Sequence, residues 1–295
     1  MTLVEGIYCW MNQIACAHTK YFKAAIISFV LWGLFQCSER AFAENNTSEQ
    51  NPSIQVTRAF GPQSPRNINQ KDGHNKRIFS FAPHKEFMNL CNIHLHHGAE
   101  HMGGEFTKAI KPSNKKDSPR GYAYAGTLTD EERAPITEPF AINALDGLNS
   151  GDTIEVHFVF SSSDVRPGPT LDSCLEPSIQ NTQFRVVAVI AVLTNDGKGT
   201  DFANLTQLSS NQGYWQSPNI PNNLGIATIY QGSTTGPDYN NKLSPFQVTW
   251  EVYPKVLRVD AKSVASWFQN NPFDERHAHG VRTLIRDHQW LSKIK

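Results

Sequence analysis

Eleven histidines are spread over the 295-residue chain, but His94, His96, His97 and His101 crowd into one short stretch, Asn92-Ile93-His94-Leu95-His96-His97-Gly98-Ala99-Glu100-His101. Residues two apart on a strand project from one face. A strand through His94-Leu95-His96 therefore offers His94 and His96 together, as two ligands of one metal ion. A third ligand has to come from a second strand, and His157 is the candidate. It stands in the middle of Thr153 to Phe160 (TIEVHFVF), where an imidazole among β-branched and aromatic residues needs a partner for its ring. Glu155, two residues away on the same face, is suited to accept the N–H that a ligating histidine leaves over, and could serve His94, His96 or His157. Three neutral imidazoles leave Zn2+ its charge and one open position, where bound water loses its proton near pH 7 instead of about 15.7. That is the chemistry of a catalytic centre, whereas cysteine-rich ligand sets are structural.

The other histidines fit this chemistry less well. An isolated His-x-His is more often a surface cluster than a metal site; the second strand with its glutamate argues against that here. His97 should point away from the metal face, and His101 reads as a hydrogen-bonded structural neighbour. His277 and His279 form a second His-x-His with no obvious third ligand or carboxylate, and read as C-terminal packing or surface. His74 and His84 precede the metal strand and are placed as possible proton shuttles.

The elements that must hold these residues are mostly strands. Asn92 to His96 alternates. Thr153 to Phe160 alternates more clearly, with Ile154, Val156, Phe158 and Phe160 on one face and Thr153, Glu155, His157 and Val159 on the other. Phe184 to Leu193 (FRVVAVIAVL) is almost continuously apolar, as a strand buried on both faces would be. Phe246 to Tyr253 alternates again. Helices are few: Asp260 can cap one over Ala261 to Asn270, and Val281 to Ile294 is a second candidate. The pattern predicts a mainly β fold, one domain on a large, mostly antiparallel twisted sheet with a few peripheral helices.

Composition narrows the class. Lysine plus arginine equals aspartate plus glutamate, 27 each, so the chain lacks the basic footprint of a nucleic-acid binder. Residues 1–43 read as a cleaved signal peptide: Lys20 and Lys23, then Ala24 to Phe35 (AAIISFVLWGLF), then Ala41-Phe42-Ala43 as the cleavage site. The basic flank sits far in, which makes Met11 a candidate start. The apolar run is short of the roughly 20 residues a membrane span needs, so no span is expected in the mature chain. Cys9, Cys16 and Cys37 fall in that leader, which leaves Cys91 and Cys174, most simply a disulfide in an exported, periplasmic or secreted protein. Residues 44–76 are polar and lack periodicity, and read as a poorly ordered lead-in to a catalytic domain over 77–295.

Several of these segments resemble delta-class carbonic anhydrases. They are Asn92 to His101 with Gly103-Gly104-Glu105-Phe106, Glu155-Val156-His157-Phe158-Val159, Ser163-Asp164-Val165-Arg166-Pro167-Gly168-Pro169, Tyr230 to Pro237 (YQGSTTGP), Val248-Thr249-Trp250-Glu251-Val252, and His277-Ala278-His279-Gly280-Val281-Arg282. The resemblance spans roughly residues 85–290. A weaker similarity links the chain to alpha-class carbonic anhydrases, which carry HxHxxxEH, ExH, a YxGSxTT-like loop and a VxW strand in the same order. It implies an alpha-carbonic-anhydrase-like fold and reversible hydration of CO2 to bicarbonate and a proton, with His94, His96 and His157 as zinc ligands. By it, Glu100 accepts a hydrogen bond from Thr234 or Thr235, and that threonine orients the zinc-bound hydroxide. One residue is missing between Ser233 and the threonine pair, so the similarity leaves the choice between the two open. Val159, two past His157, would line the apolar pocket for CO2.

Two other classes share parts of the pattern. A cupin-type metalloenzyme would use His94, His96 and Glu100, but its second half needs a histidine after a Pro-x-Gly turn; His157 precedes Pro167-Gly168, and the next histidine is His277. A non-catalytic carbonic-anhydrase-related module usually lacks a ligand histidine, and all three are present. No Gly-x-Ser-x-Gly elbow supports a serine hydrolase.

Overall fold

Runs of β-branched and aromatic residues form strands because their side chains pack well on a pleated surface. The computed structural model of this chain describes residues 64–77, 80–111, 121–234 and 246–295, with Thr234 by its backbone alone. The expected leader, and everything before residue 64, lies outside the described residues. In chain order the elements are β1 (Asn89–His97), β2 (Lys108–Ala109), β3 (Tyr122–Ala123), α1 (Pro139–Leu145), β4 (Thr153–Ser161), β5 (Phe184–Thr194), α2 (Phe202–Leu205), β6 (Ser209–Asn211), β7 (Tyr214–Gln216), β8 (Thr228–Thr234), β9 (Phe246–Val252), β10 (Leu257–Asp260) and α3 (Ala261–Gln269).

The main sheet runs β1-β4-β5-β9-β8, with β10 also on β5. Its centre is β5, buried along its whole length as the apolar run from Phe184 predicts. The pairs β1–β4, β4–β5 and β8–β9 are antiparallel. Within this mostly antiparallel sheet, as expected, β5 also takes two parallel neighbours along one edge, β9 beside Phe184–Ala188 and β10 beside Ala191–Thr194. The sheet is mixed. Parallel pairing needs a long crossover, which the chain between β5 and β9 supplies; alternation along one strand carries no information about its neighbour's direction.

Register decides which side chains meet. In the β1–β4 ladder His94 lies opposite His157, His96 opposite Glu155, and Asn92 opposite Val159. The register shifts between Leu90 and Asn92, so Cys91 is the extra residue of a bulge. Leu90, Ile93, Leu95, Val156, Phe158 and Phe160 then face one core with Val187 and Val189, and α1 and α3 cover it through Ala141, Leu145, Val264 and Trp267. Burying each of the larger side chains contributes roughly 1.5–3 kcal/mol. Helix α3 starts where expected, with the Asp260 carboxylate accepting from the Ser263 N–H at 2.8 Å. A slip of one residue in β1 would turn His94 and His96 away from His157 and into that core.

The opposite face carries Val159, Val186, Ala188, Tyr230 and Trp250. Segments from both ends of the described chain lie together there. Residues 281–294, expected as a helix, are extended with a turn instead. Their backbone groups go to the N-terminal segment: Ile285 N–H to the Pro65 carbonyl and Ile294 N–H to the Lys71 carbonyl, both 2.9 Å. The segment from Ser64, expected within a poorly ordered lead-in, is packed, with Ser64, Arg66 and Ile68 buried. Cys91 and Cys174 form a disulfide, which ties the β1 bulge to the turn Leu171–Cys174. Gly103 and Gly104 of the recognised motif have positive φ, +139° and +47°, and a side chain at Gly104 would run into the Pro254 carbonyl. Among the described residues no helix is long and apolar enough to cross a membrane.

Candidate metal centre

Because His94, His96 and His157 share one face of two paired strands, one ring nitrogen of each lies within 4.8 Å of the others. The hydrogen bonds on the outer side of each ring fix which nitrogen faces inward. Asn92 donates its Nδ2–H to the Gly168 carbonyl at 3.2 Å, so its Oδ1 is the acceptor facing His94 Nδ1 at 2.8 Å. The Gly280 carbonyl can only accept, so His96 Nδ1 donates to it at 2.8 Å. The Glu155 carboxylate accepts from His157 Nε2 at 2.7 Å. With those protons placed, His94 Nε2, His96 Nε2 and His157 Nδ1 carry lone pairs, and His157 Nδ1 stands 3.2 Å from His94 Nε2. Converging lone pairs repel unless a cation sits among them, and each outer acceptor makes its imidazole a better ligand. The donor set therefore fits a divalent ion with an affinity for imidazole.

A second group, His101, Glu155 and His157, also gathers three possible ligands. It is a closed hydrogen-bond network. Glu155 accepts from His101 Nδ1 at 2.6 Å, from His157 Nε2, and from the backbone N–H groups of Glu100 and His101 at 2.6 and 3.1 Å. Four donors match the capacity of one carboxylate. Tyr230 donates to His101 Nε2 at 2.6 Å, and Ser64 donates to the Tyr230 hydroxyl at 3.0 Å. A chain of hydrogen bonds thus runs from Ser64 to the His157 ring.

The electrostatics follow from this burial. Burial, then the neighbouring rings His157 and His96, hold His94 well below the usual imidazole range. Burial likewise lowers His96 to about 4, against the pull of Glu100. Both rings are neutral at pH 7, as ligation requires. Burial works to raise Glu155, but the N–H groups that His101 and His157 point at it outweigh burial and hold it well below the carboxylate range. For Glu100 burial again opposes, and the Arg282 guanidinium wins, keeping it ionised.

Glu100 is buried and held by a partner the sequence did not indicate, Arg282. Its oxygens accept from the Arg282 guanidinium, at 3.0 and 3.1 Å from Nε and 2.7 Å from Nη2, and from the Arg282 backbone N–H at 3.0 Å. The Thr234 side chain and Thr235 lie outside the described residues. Val159 lines the cavity over the histidines with Phe184, Val186, Phe246 and Trp250; the volume of this cavity is about 910 Å³.

The C-terminal segment contributes what sequence reading missed. His279 N–H donates to the Leu95 carbonyl at 2.7 Å and its carbonyl accepts from His97 N–H at 3.0 Å, which adds it to the free edge of β1. The segment brings the Gly280 carbonyl and Arg282 to the centre, and places the His279 ring 5.6 Å from that of His94. His279 lines the cavity and bonds the Glu275 carboxylate at 2.7 Å, which raises its pKa. His277 is exposed. The two expected shuttles are elsewhere: His84 pairs with Glu86, His74 packs on His288, and neither lines the cavity. His101 is hydrogen-bonded to Glu155 and Tyr230. The recognised His277-to-Arg282 motif was the available signal for Gly280 and Arg282. Tyr230 belonged to the recognised loop. Ser64 had none.

Among curated proteins none matches the chain. A solved structure similar to it is an alpha-carbonic anhydrase from Thermovibrio ammonificans, in complex with the inhibitor sulfanilamide. The match has 14% sequence identity and a TM-score of 0.25, and covers 74% of this chain and 83% of that one. A family model described as Delta carbonic anhydrase matches residues 85–263, which include the three clustered histidines, Glu100, Glu155 and the Trp250 strand. The chain belongs to the delta carbonic anhydrase family.

Proposed function

We propose that this protein catalyses the reversible hydration of CO2 to bicarbonate and a proton at a Zn2+ ion held by His94, His96 and His157. The observation that carries this reading is the convergence of three imidazole lone pairs whose outer N–H groups are each committed to an acceptor. A divalent ion bound there supplies Lewis acidity and an acidified water, hence a nucleophile near neutral pH.

The chain's own residues position and exclude. Asn92, Gly280 and Glu155 hold the three rings. Val159, Val186 and Trp250 form an apolar wall on which CO2, which has no dipole, can rest and from which water is kept. Arg282 fixes Glu100 as an anion 3.6 Å from His96 Nδ1, ready to accept from a hydroxyl. By the motif resemblance read from the sequence, that hydroxyl would be the one of Thr234 or Thr235. The released proton passes to His279, the described histidine that lines the cavity beyond the ligand cluster. The disulfide, with the leader-like first 43 residues, supports a mature protein that works outside the cytosol, in a periplasm or as a secreted enzyme.

Stopped-flow CO2 hydration by the mature chain, with His157→Ala beside it and metal analysis of both, tests the reading. Zinc-dependent hydration lost in His157→Ala is expected. No zinc-dependent hydration in the wild type refutes the activity. Retained metal and activity in His157→Ala refutes the ligand set, and stoichiometric iron or manganese in place of zinc favours a cupin-type reaction.

A further inference from the structure

Behind the Glu100–Arg282 pair, away from the histidines, lies a second cavity of about 240 Å³. Its walls include Ile110, Gly121 and Tyr122 from the β2–β3 region and Arg282 and Arg286 from the C-terminal segment. We propose that it binds a small oxyanion of the bicarbonate, phosphate or sulfate kind. The inference does not depend on the hydration reaction.

Charge is the first argument. Two guanidinium groups line the cavity, and among its described lining residues Glu100 is the one carboxylate. Both Glu100 oxygens accept from Arg282, which offsets that charge. No carboxylate pairs with Arg286 among the described residues; its Nη2 donates to the Tyr122 hydroxyl at 3.1 Å. A net positive charge is therefore left facing the cavity. The described chain beside Ala109 and Ile110 adds to that field: Lys108 and Lys111 flank those two lining residues. Groups of one sign around a concave, low-dielectric site raise the local concentration of counter-ions.

Donor geometry is the second. Arg286 presents a planar fork whose Nη2 is already oriented by a largely buried tyrosine hydroxyl. Arginine forks match the oxygens of carboxylate-like and phosphate-like anions in two parallel bonds, and pre-orientation lowers the entropy lost on binding. Size is the third. The cavity is smaller than the roughly 300–1,000 Å³ typical of sites for larger organic ligands, but has room for one oxyanion with its remaining water.

The test is isothermal titration of the full mature, zinc-loaded chain with inorganic phosphate, repeated with bicarbonate. Wild type, Arg286→Gln and His157→Ala are compared, with folding checked by near-UV circular dichroism. Arg286 is exposed and outside the hydrophobic core, so Arg286→Gln should fold as wild type does. The proposal expects saturable phosphate binding that weakens about tenfold or more in Arg286→Gln and persists in His157→Ala. Stronger binding of bicarbonate than of phosphate would make the site a holding point for that anion; the reverse would make phosphate-like anions its ligands. Equal affinity in wild type and Arg286→Gln, or binding lost with His157 and kept without Arg286, would overturn the proposal and place the anion in the histidine cavity. Absence of zinc-dependent hydration in the wild type, with phosphate binding intact, would count against the proposed function alone.

Discussion

The chain carries two His-x-His pairs, His94/His96 and His277/His279, and the fold treats them oppositely. The first lies on a strand with a paired neighbour, which sets His157 opposite His94 and Glu155 opposite His96. The second lies on an irregular segment that touches β1 through single backbone bonds, leaving His277 in solvent and His279 against Glu275 at the cavity rim. Equal spacing gives two imidazoles on one side only where the backbone is a regular strand. It gives a ligand set only where a second strand supplies the third nitrogen. The second pair is useful for a different reason: the backbone beside it delivers the Gly280 carbonyl to His96 and Arg282 to Glu100.

This contrast can be broken most directly by substitution in each pair. His94→Ala or His96→Ala should lower zinc affinity by on the order of a thousandfold or more, since three protein ligands become two. His277→Ala should leave it unchanged. Chelator competition measures both, and a matching loss in His277→Ala would make the two pairs equivalent.

Next in size is the pH response of the metal-free protein. His96 ordinarily titrates near 6.5 but is held at about 4 in the fold, first by burial. As pH falls below about 6.5 the unfolded chain takes up the proton that the folded chain refuses. Stability is therefore lost between about pH 6.5 and 4, by ~3 kcal/mol from this ring. Urea unfolding at pH 7 and pH 4 should show that loss in wild type and a smaller one in His96→Gln. His277 faces solvent, and His277→Gln should leave the slope as it is.

Glu155→Gln, which weakens the acceptor on His157, should lower zinc affinity by about 10- to 100-fold. His157 stays in place, so residual metal is expected, in contrast to His157→Ala. The smallest effect is expected at the rim. His279→Ala should keep its zinc and lose roughly tenfold in turnover at low buffer concentration, with free imidazole restoring it. Turnover unchanged at every buffer concentration would return His279 to the packing role that its sequence context suggested.

Much of the sheet-borne half of the centre was legible in the residues. Alternation in Thr153 to Phe160 assigned His157 and Glu155 to one face, and the apolar run from Phe184 marked the central strand, because both patterns arise from the two-residue period of a strand. The helix capped by Asp260 was legible for the equivalent reason at a helix terminus. The parallel neighbours of β5, the extended course of residues 281–294, and the packing of Ser64 and Arg66 were not. In each, a backbone segment is placed by hydrogen bonds to another that is remote in the chain, and such bonds impose no pattern on side chains.

By itself, then, the sequence determined which residues could ligate a metal, which strand face would bear them and which family they resemble. The tertiary structure alone decided that His94 meets His157 in register, that Glu155 turns to His157, and that Glu100 is held by Arg282. It also decided that the outer nitrogen of His96 is satisfied by a glycine carbonyl. The physical reason is that ligand type and periodicity are properties of side chains along one segment. Register, tautomer and the closing of the site depend on where two distant backbones come to lie side by side.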